Sequence, residues 1–252
     1  MNTPEHFKGK DAMGHVAEAQ VQGLLSAAEI HGTELPGHLN AATDTARDVA
    51  VAMTLFALSF AHFNIPFTTL FYATAIFGFG WLLWKTGRSA WLGWARLERL
   101  HRVIAQEKWE IEHHRQQERD ELRALYAAKG FSDKLLEDVV DVLMADGDRL
   151  LRVMVEEEMG YTLENHEHPL KQALGSALGG LLSWILCLTG LFLYPIWGLL
   201  AVAALILIGF SSFAAARERN KAIPAAIWNL GLAVIAAGFV YFILDLFFPS
   251  GG

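Results

Sequence analysis

Residues 173–193 read ALGSALGGLLSWILCLTGLFL, and after Tyr194-Pro195 the chain continues IWGLLAVAALILIGFSSFAA over 196–215. Neither run contains Asp, Glu, Lys or Arg. As helices rising about 1.5 Å per residue, both are long enough to cross the ~30 Å hydrocarbon core of a bilayer. A third run, Ala225–Phe248, carries only Asp245 as a charge. Three such runs in series exclude soluble core helices and predict transmembrane ones. Working back from them, Val49–Ile65 and Phe67–Trp84 have spanning length but are interrupted by His62, Asn64, Thr68 and Thr69. The reading is an all-α protein with five transmembrane spans.

Composition agrees. Apolar residues make up 53 % of the 252 residues and charged ones 19 %, against roughly 25 % charged in soluble proteins. The charge is also segregated. Residues 101–170 hold 17 acidic and 9 basic side chains, so the net −7 of the chain comes from this block. Such a balance excludes a nucleic-acid binder, which needs a basic surface. A single cysteine, Cys187, inside an apolar run excludes a disulfide scaffold.

Lysine and arginine placement orients the spans. Lys8, Lys10 and Arg47 precede the first; Lys85, Arg88, Arg96 and Arg99 follow the second; Lys171 precedes the third; Arg217, Arg219 and Lys221 separate the fourth and fifth. The turns at 62–66 and 194–195 and the tail after the fifth span carry none. The expectation is therefore a cytoplasmic N-terminus, a cytoplasmic acidic block and a C-terminus outside, in a multi-pass protein of the bacterial inner membrane. No apolar signal-peptide region is visible in the first forty residues. Residues 11–31 read as an amphipathic helix ended by Gly32 and Pro36, resting on the membrane or the cytoplasmic domain. His6, His15, Glu18, His31 and His38 are potential ligands there, or simply surface side chains. The expected divisions are 1–47 cytoplasmic segment, 48–99 spans one and two, 100–170 acidic metal-binding domain of three helices, and 171–252 spans three to five.

Between Arg88 and Lys129 there is no proline, and glycine occurs only at Gly93. Helix formers dominate, so the second span is expected to continue unbroken into the cytoplasm and stop at Gly130. Ser132 is expected to cap a second helix near 133–145, and a third runs from about Asp148 to Met159. On the long helix, at about 100° per residue, Glu107, Glu110, His114, Glu118 and Glu121 share one stripe about 80° wide. Lys108, Arg115, Arg119 and Arg123 fall on another. Like charges at i,i+3 cost a few tenths of a kcal/mol each, so the stripe calls for something cationic. Met154 lies one turn before Glu157 and Glu158 on the third helix. Carboxylates with a thioether suit a transition metal (Fe²⁺, Mn²⁺, Co²⁺ or Zn²⁺) better than Mg²⁺ or Ca²⁺. Packing of Met154 in a three-helix core, with Glu156–Glu158 a solvated run, is the alternative.

The stretch Glu107-Lys-Trp-Glu110, then Glu118-Arg-Asp-Glu121-Leu-Arg-Ala-Leu-Tyr126-Ala-Ala-Lys129-Gly130-Phe131, followed by Asp138 to Asp146 and Glu157-Glu158-Met-Gly160, resembles the cytoplasmic region of the vacuolar iron transporter family. Five spans with this domain between the second and third match that family's plan over roughly 45–248. The resemblance implies an antiporter that exports Fe²⁺ and related metals in exchange for protons, as a homodimer. It implies metal ligands at Glu107, Glu110, Glu118, Glu121, Met154 and Glu158, with Glu157 adjacent. It also implies an acidic residue of the first span on the transport path, matched here by Asp48; an aspartate complementing a helix N-terminus is the plain alternative. Two departures stand out. The family's Asn-Asp-Gly run is absent around Asp48. In the second helix, where the family has a metal-binding methionine and then Gly-Glu-Tyr, this chain reads Gly80-Trp-Leu-Leu-Trp-Lys85-Thr-Gly87. Met53 and His62 are possible substitutes.

The leading expectation is a proton-coupled iron or manganese exporter. A membrane-anchored metal-binding or buffering protein without transport is the runner-up, and a dimeric helical stalk without metal is a third reading. No nucleophile–base set or phosphate-binding glycine loop is visible, so no enzyme is expected.

Overall fold

The computed structural model describes residues 35–158 and 167–249. The helix expected over 11–31, with His6, His15, Glu18 and His31, lies outside them, as do Met159 and Gly160. Every regular element among the described residues is helical. Contacts divide them into two compact units, 35–91 with 167–249, and 92–158.

In the first unit α1 spans Gly37–Ala61 and α2 spans Phe67–His113, the latter running on into the second unit. After the second unit come α6 (Pro169–Leu193), α7 (Trp197–Arg217) and α8 (Ala222–Phe247). Four of these, α2, α6, α7 and α8, are long and apolar enough to cross a membrane, which makes this a multi-pass membrane protein. By contrast α1, expected as the first span, falls short of that hydropathy. Its position supplies the reason. Ala46, Val49, Ala50, Met53 and Ala57 of α1 are all completely buried, in one core with Leu70, Leu82, Cys187, Leu191, Leu199, Ala203 and Ile206. A helix enclosed by other helices has no need of a lipid-compatible surface, so the buried Thr43, Thr45 and Thr54 are tolerated. The opposite case is α8, whose most apolar stretch has no buried residue; Ile223, Trp228, Ile235, Phe239 and Phe242 all face outward.

Glycines set the closest approach in this unit. A Cβ on Gly175 would lie 2.0 Å from the His38 carbonyl oxygen, and one on Gly179 2.1 Å from that of Ala42. So α6 lies backbone to backbone on α1 along a small-xxx-small edge, the packing that serves helices lacking a hydrophobic drive between them. Thr45 and Ser176 hydrogen-bond across the same contact at 2.6 Å. On the other side Phe56 stacks on Phe77 with ring centres 4.3 Å apart, and the Trp184 indole donates to the Ala75 carbonyl at 3.0 Å. At the far end Gly190 and Gly198 pack on each other's carbonyls, which lets α6 turn into α7 through Tyr194–Ile196.

The start of α6 is tied to the start of α1. Glu167 accepts from the His38 backbone N–H at 2.6 Å, its other oxygen meets His38 Nδ1 at 2.5 Å, and Lys171 Nζ lies 2.9 Å away. Partial burial pushes the Glu167 carboxyl upward, but the bonds from Lys171 and His38 outweigh it and hold the group below the usual carboxylate range.

The second unit holds the end of α2, then α3 (Arg115–Ala128), α4 (Asp133–Met144), α5 (Gly147–Val153) and one π-helical turn, Met154–Glu158. Two expectations are corrected here. The long helix is not continuous: it breaks at His114 (φ −125°, ψ 36°). Neither proline nor glycine marks the break. Tertiary contact holds it: the Arg115 guanidinium, just past the break, donates to the Met144 carbonyl at the end of α4. The third expected helix is α only to Val153 and then widens into the π turn.

Ser132, expected to cap α4, stands at its N-cap position but makes no side-chain cap hydrogen bond. The stop expected at Gly130 is met: the residue takes φ +96°. Its N–H bonds to Ala127 at 3.0 Å and that of Phe131 to Tyr126 at 3.1 Å, the paired bonds of a Schellman stop. Asp146 caps α5 by accepting from the backbone N–H groups of Asp148 and Arg149.

Candidate functional site

The break at His114 divides the expected carboxylate stripe between α2 and α3, and burial sorts its members. Glu107 is 1 % exposed and Glu118 2 %; Glu110 and Glu121 are half-buried, while Lys108, Arg115 and Arg123 are exposed. Each buried glutamate stands one turn before a core residue, Ile111 after Glu107 and Leu122 after Glu118. These belong to the cluster of Leu136, Val140, Met144, Leu150 and Met154. The same periodicity that buries the apolar face therefore draws two carboxylates inward. His114, expected on the stripe, is exposed, and its ring meets Trp109 edge-on at 5.3 Å.

The basic face has partners of its own. Arg119 pairs with Asp141 at 2.6 Å and Glu137 at 3.2 Å, and Arg123 pairs with Glu137 at 2.7 Å. The acidic α4 thus neutralises the arginines that the stripe leaves unpaired on its own helix. Gln106 and Gln117 each donate to a half-buried glutamate one turn on, Glu110 at 3.0 Å and Glu121 at 2.9 Å.

Met154 is 1 % exposed and packs in the core. Glu157 is turned the other way: it is exposed and ion-paired to Lys129, and accepts from the Tyr126 hydroxyl at 3.2 Å. Lys129 also lies 4.9 Å over the Tyr126 ring, and burial pushes that phenol above its ordinary pKa. Met154 and Glu157, expected to face one point, are therefore separated. Glu158 ends the π turn, and its side chain lies outside the described set. Among the described residues no three His, Cys, Asp or Glu side chains converge closely enough to hold a metal ion. A surface recess between Lys108, Arg115 and Asp148 contains none of the expected ligands.

In the first unit, Asp48 is 41 % exposed and forms an ion pair with Lys85 of α2. Lys85 also reaches Asp44 at 3.5 Å, and Arg47 approaches Asp44 at 3.6 Å. The sequence places Lys85 just after the second apolar run and gives no sign of this pair. Asp44 and Asp48 stand four apart on α1, so both fall on one face. Met53 is fully buried, and its sulfur lies over Gly78 of α2. His62 bonds the Phe248 carbonyl at 2.6 Å near the end of α8.

Among curated proteins none matches the chain. A family model, described as the VIT family, matches residues 94–245. That match takes in the whole carboxylate stripe, Met154 and the last three apolar helices, and begins beyond Asp48 and Lys85. It covers well over half of the chain, and the chain belongs to the VIT family, the vacuolar iron transporters that its acidic block resembles.

Proposed function

We propose that the protein is a carrier rather than an enzyme, exporting Fe²⁺ or Mn²⁺ from the cytoplasm in exchange for protons. The acidic unit collects the metal, and α1 serves as a fifth span with Asp48 on the path. The observation that supports it best is that Glu107, Glu118 and Met154 are all buried in the acidic unit that the VIT family match takes in. Carboxylates together with a thioether suit Fe²⁺, Mn²⁺, Co²⁺ or Zn²⁺. In this reading Glu107, Glu110, Glu118, Glu121, Met154 and Glu158 supply ligands, and Glu157 positions the turn through Lys129. The basic residues flanking the spans favour a cytoplasmic N-terminus and acidic unit in a bacterial inner membrane. A homodimer supplies the remaining ligands around a shared axis.

The test is Mn²⁺ uptake into proteoliposomes across an imposed pH gradient. Flux that follows the gradient and is lost in Glu107→Gln/Glu118→Gln supports the reading; no flux under any gradient removes it. A second reading, an anchored metal-binding protein without transport, is favoured by the Lys85 ammonium on Asp48. It predicts metal binding without flux.

A further inference from the structure

Two helices of this protein end in the same way but with different residues. At the end of α3 the left-handed position belongs to Gly130. At the end of α7 it belongs to Arg219, with φ +57°. The Arg219 N–H bonds to the Ala216 carbonyl at 3.2 Å and that of Asn220 to Ala215 at 2.7 Å, again a Schellman pair. Glycine takes that conformation freely, whereas a side chain crowds the carbonyl beside it. The positive-inside preference does not account for this arginine, since a basic residue anywhere in the turn would satisfy it. The charge around it is also uncompensated. Arg217, Arg219 and Lys221 are all exposed, and the acid among them, Glu218, accepts from the Asn220 amide at 3.1 Å. Among the described residues neither Arg219 nor Lys221 forms an ion pair. Arg47, Lys85 and Lys171, at other helix ends of the same unit, each meet a carboxylate.

The surface that continues from this loop is apolar. Arg217 lies over the Phe213 ring, 5.3 Å from its centre. The first turns of α8 then present Ile223, Ile227 and Trp228 at 73, 66 and 70 % exposure, Ile223 and Ile227 one turn apart on one face. We propose that the α7–α8 loop is a binding site for an anionic phospholipid, its phosphate on Arg219 and Lys221 and an acyl chain along Ile223, Ile227 and Trp228. A guanidinium matches phosphate oxygens with two parallel hydrogen bonds, and a tryptophan suits the boundary between headgroup and chain. A phosphatidylcholine headgroup carries its own ammonium and offers no net charge to unpaired cations; phosphatidylglycerol does. A second copy of the chain fits this face less well, because a two-fold contact brings the same patch together and would set arginine against arginine. None of this depends on metal binding or flux.

The test uses the full-length protein in nanodiscs of phosphatidylcholine, alone or with phosphatidylglycerol, and reads thermal melting. Phosphatidylglycerol should raise the melting temperature of wild type by roughly 2–4 °C, and Arg219→Gln/Lys221→Gln should lose most of that gain. Arg219→Gly separates backbone from charge. Relief of the left-handed position should raise its melting temperature in phosphatidylcholine, while its gain from phosphatidylglycerol shrinks. The same variant keeps the test open if the double variant fails to fold. Native mass spectrometry should find phosphatidylglycerol retained by wild type through a detergent wash and lost from Arg219→Gly. Equal phosphatidylglycerol gains in wild type and both variants overturn the proposal, as does Arg219→Gly melting below wild type in phosphatidylcholine. Inorganic phosphate that reproduces the gain in phosphatidylcholine discs would overturn it in favour of a soluble anion. Oxidative cross-linking of Ile227→Cys between two copies would overturn it in favour of a protein interface.

Discussion

Gly179 of α6 packs directly on the carbonyl of Ala42 in α1, close enough that a methyl group there would overlap it at 2.1 Å. Backbone, not a flexible side chain, is what the methyl would strike. Gly179→Ala should therefore separate α1 from α6 and cost about 1–3 kcal/mol or more through overpacking. Gly209, with no neighbour within 4 Å of its added Cβ, serves as the control. Thermal unfolding of the two alanine variants in detergent checks this: a loss at Gly179 and little change at Gly209 is expected.

Glu107 and Glu118 are predicted to carry the stabilisation that metal brings. Replacing both by Gln keeps the side-chain shape and should leave a folded protein. The gain from saturating Mn²⁺, about 2.7 kcal/mol at a hundred times Kd, should disappear. Melting curves with and without Mn²⁺ provide the measurement. A variant that keeps the full metal-induced shift would show that these carboxylates hold no metal.

Glu157 is predicted to part company with the other glutamates. Its ion pair with Lys129 is exposed, and such pairs contribute about 0–1 kcal/mol. Glu157→Gln should leave Mn²⁺ affinity within about twofold, whereas Glu107→Gln lowers it by far more. Titration calorimetry separates the two; equal losses would return Glu157 to the ligand set.

Acid should loosen the junction of α1 and α6 through Glu167. Its carboxyl is held below the ordinary range by Lys171 and His38. A carboxylate with a depressed folded pKa contributes stability above its unfolded value, near pH 4.3–4.5, and loses it as pH falls through the folded one. Melting temperature recorded from about pH 6 down to 3 should drop more steeply in wild type than in Glu167→Gln. Parallel curves would mean that Glu167 does not carry the acid dependence.

Periodicity made the apolar helices and the carboxylate stripe legible, because both are repeats along a single helix. The sign separation on α2 and α3 could be read for the same reason, although the arginine partners Glu137 and Asp141 come from α4 and could not. The break at His114 left only the weak helix preference of His113-His114 as a trace, since the contact holding it joins residues 29 apart. Gly175-x-x-x-Gly179 was in plain view as a helix-packing signature and would have located the α1–α6 contact. The weak hydropathy of α1 reads as ambiguity in sequence and as enclosure in structure. The antiparallel run of α1 and α2 was legible from the short turn between them, but the register that sets Lys85 against Asp48 was not.

Cys187, the chain's one thiol, is completely buried in the α1 core. The native protein is thus close to a cysteine-free background for labelling without any engineering. A membrane-impermeant maleimide should leave it untouched and react only with cysteines placed on the surface by mutation. Asn64, Asn220 and Pro249 are all exposed and lie outside the helices. Cysteines introduced singly at these positions would report from which side of a sealed vesicle each is reached. The sides of the α1–α2 turn, the α7–α8 loop and the end of α8 are then mapped by three labelling reactions on an otherwise silent chain.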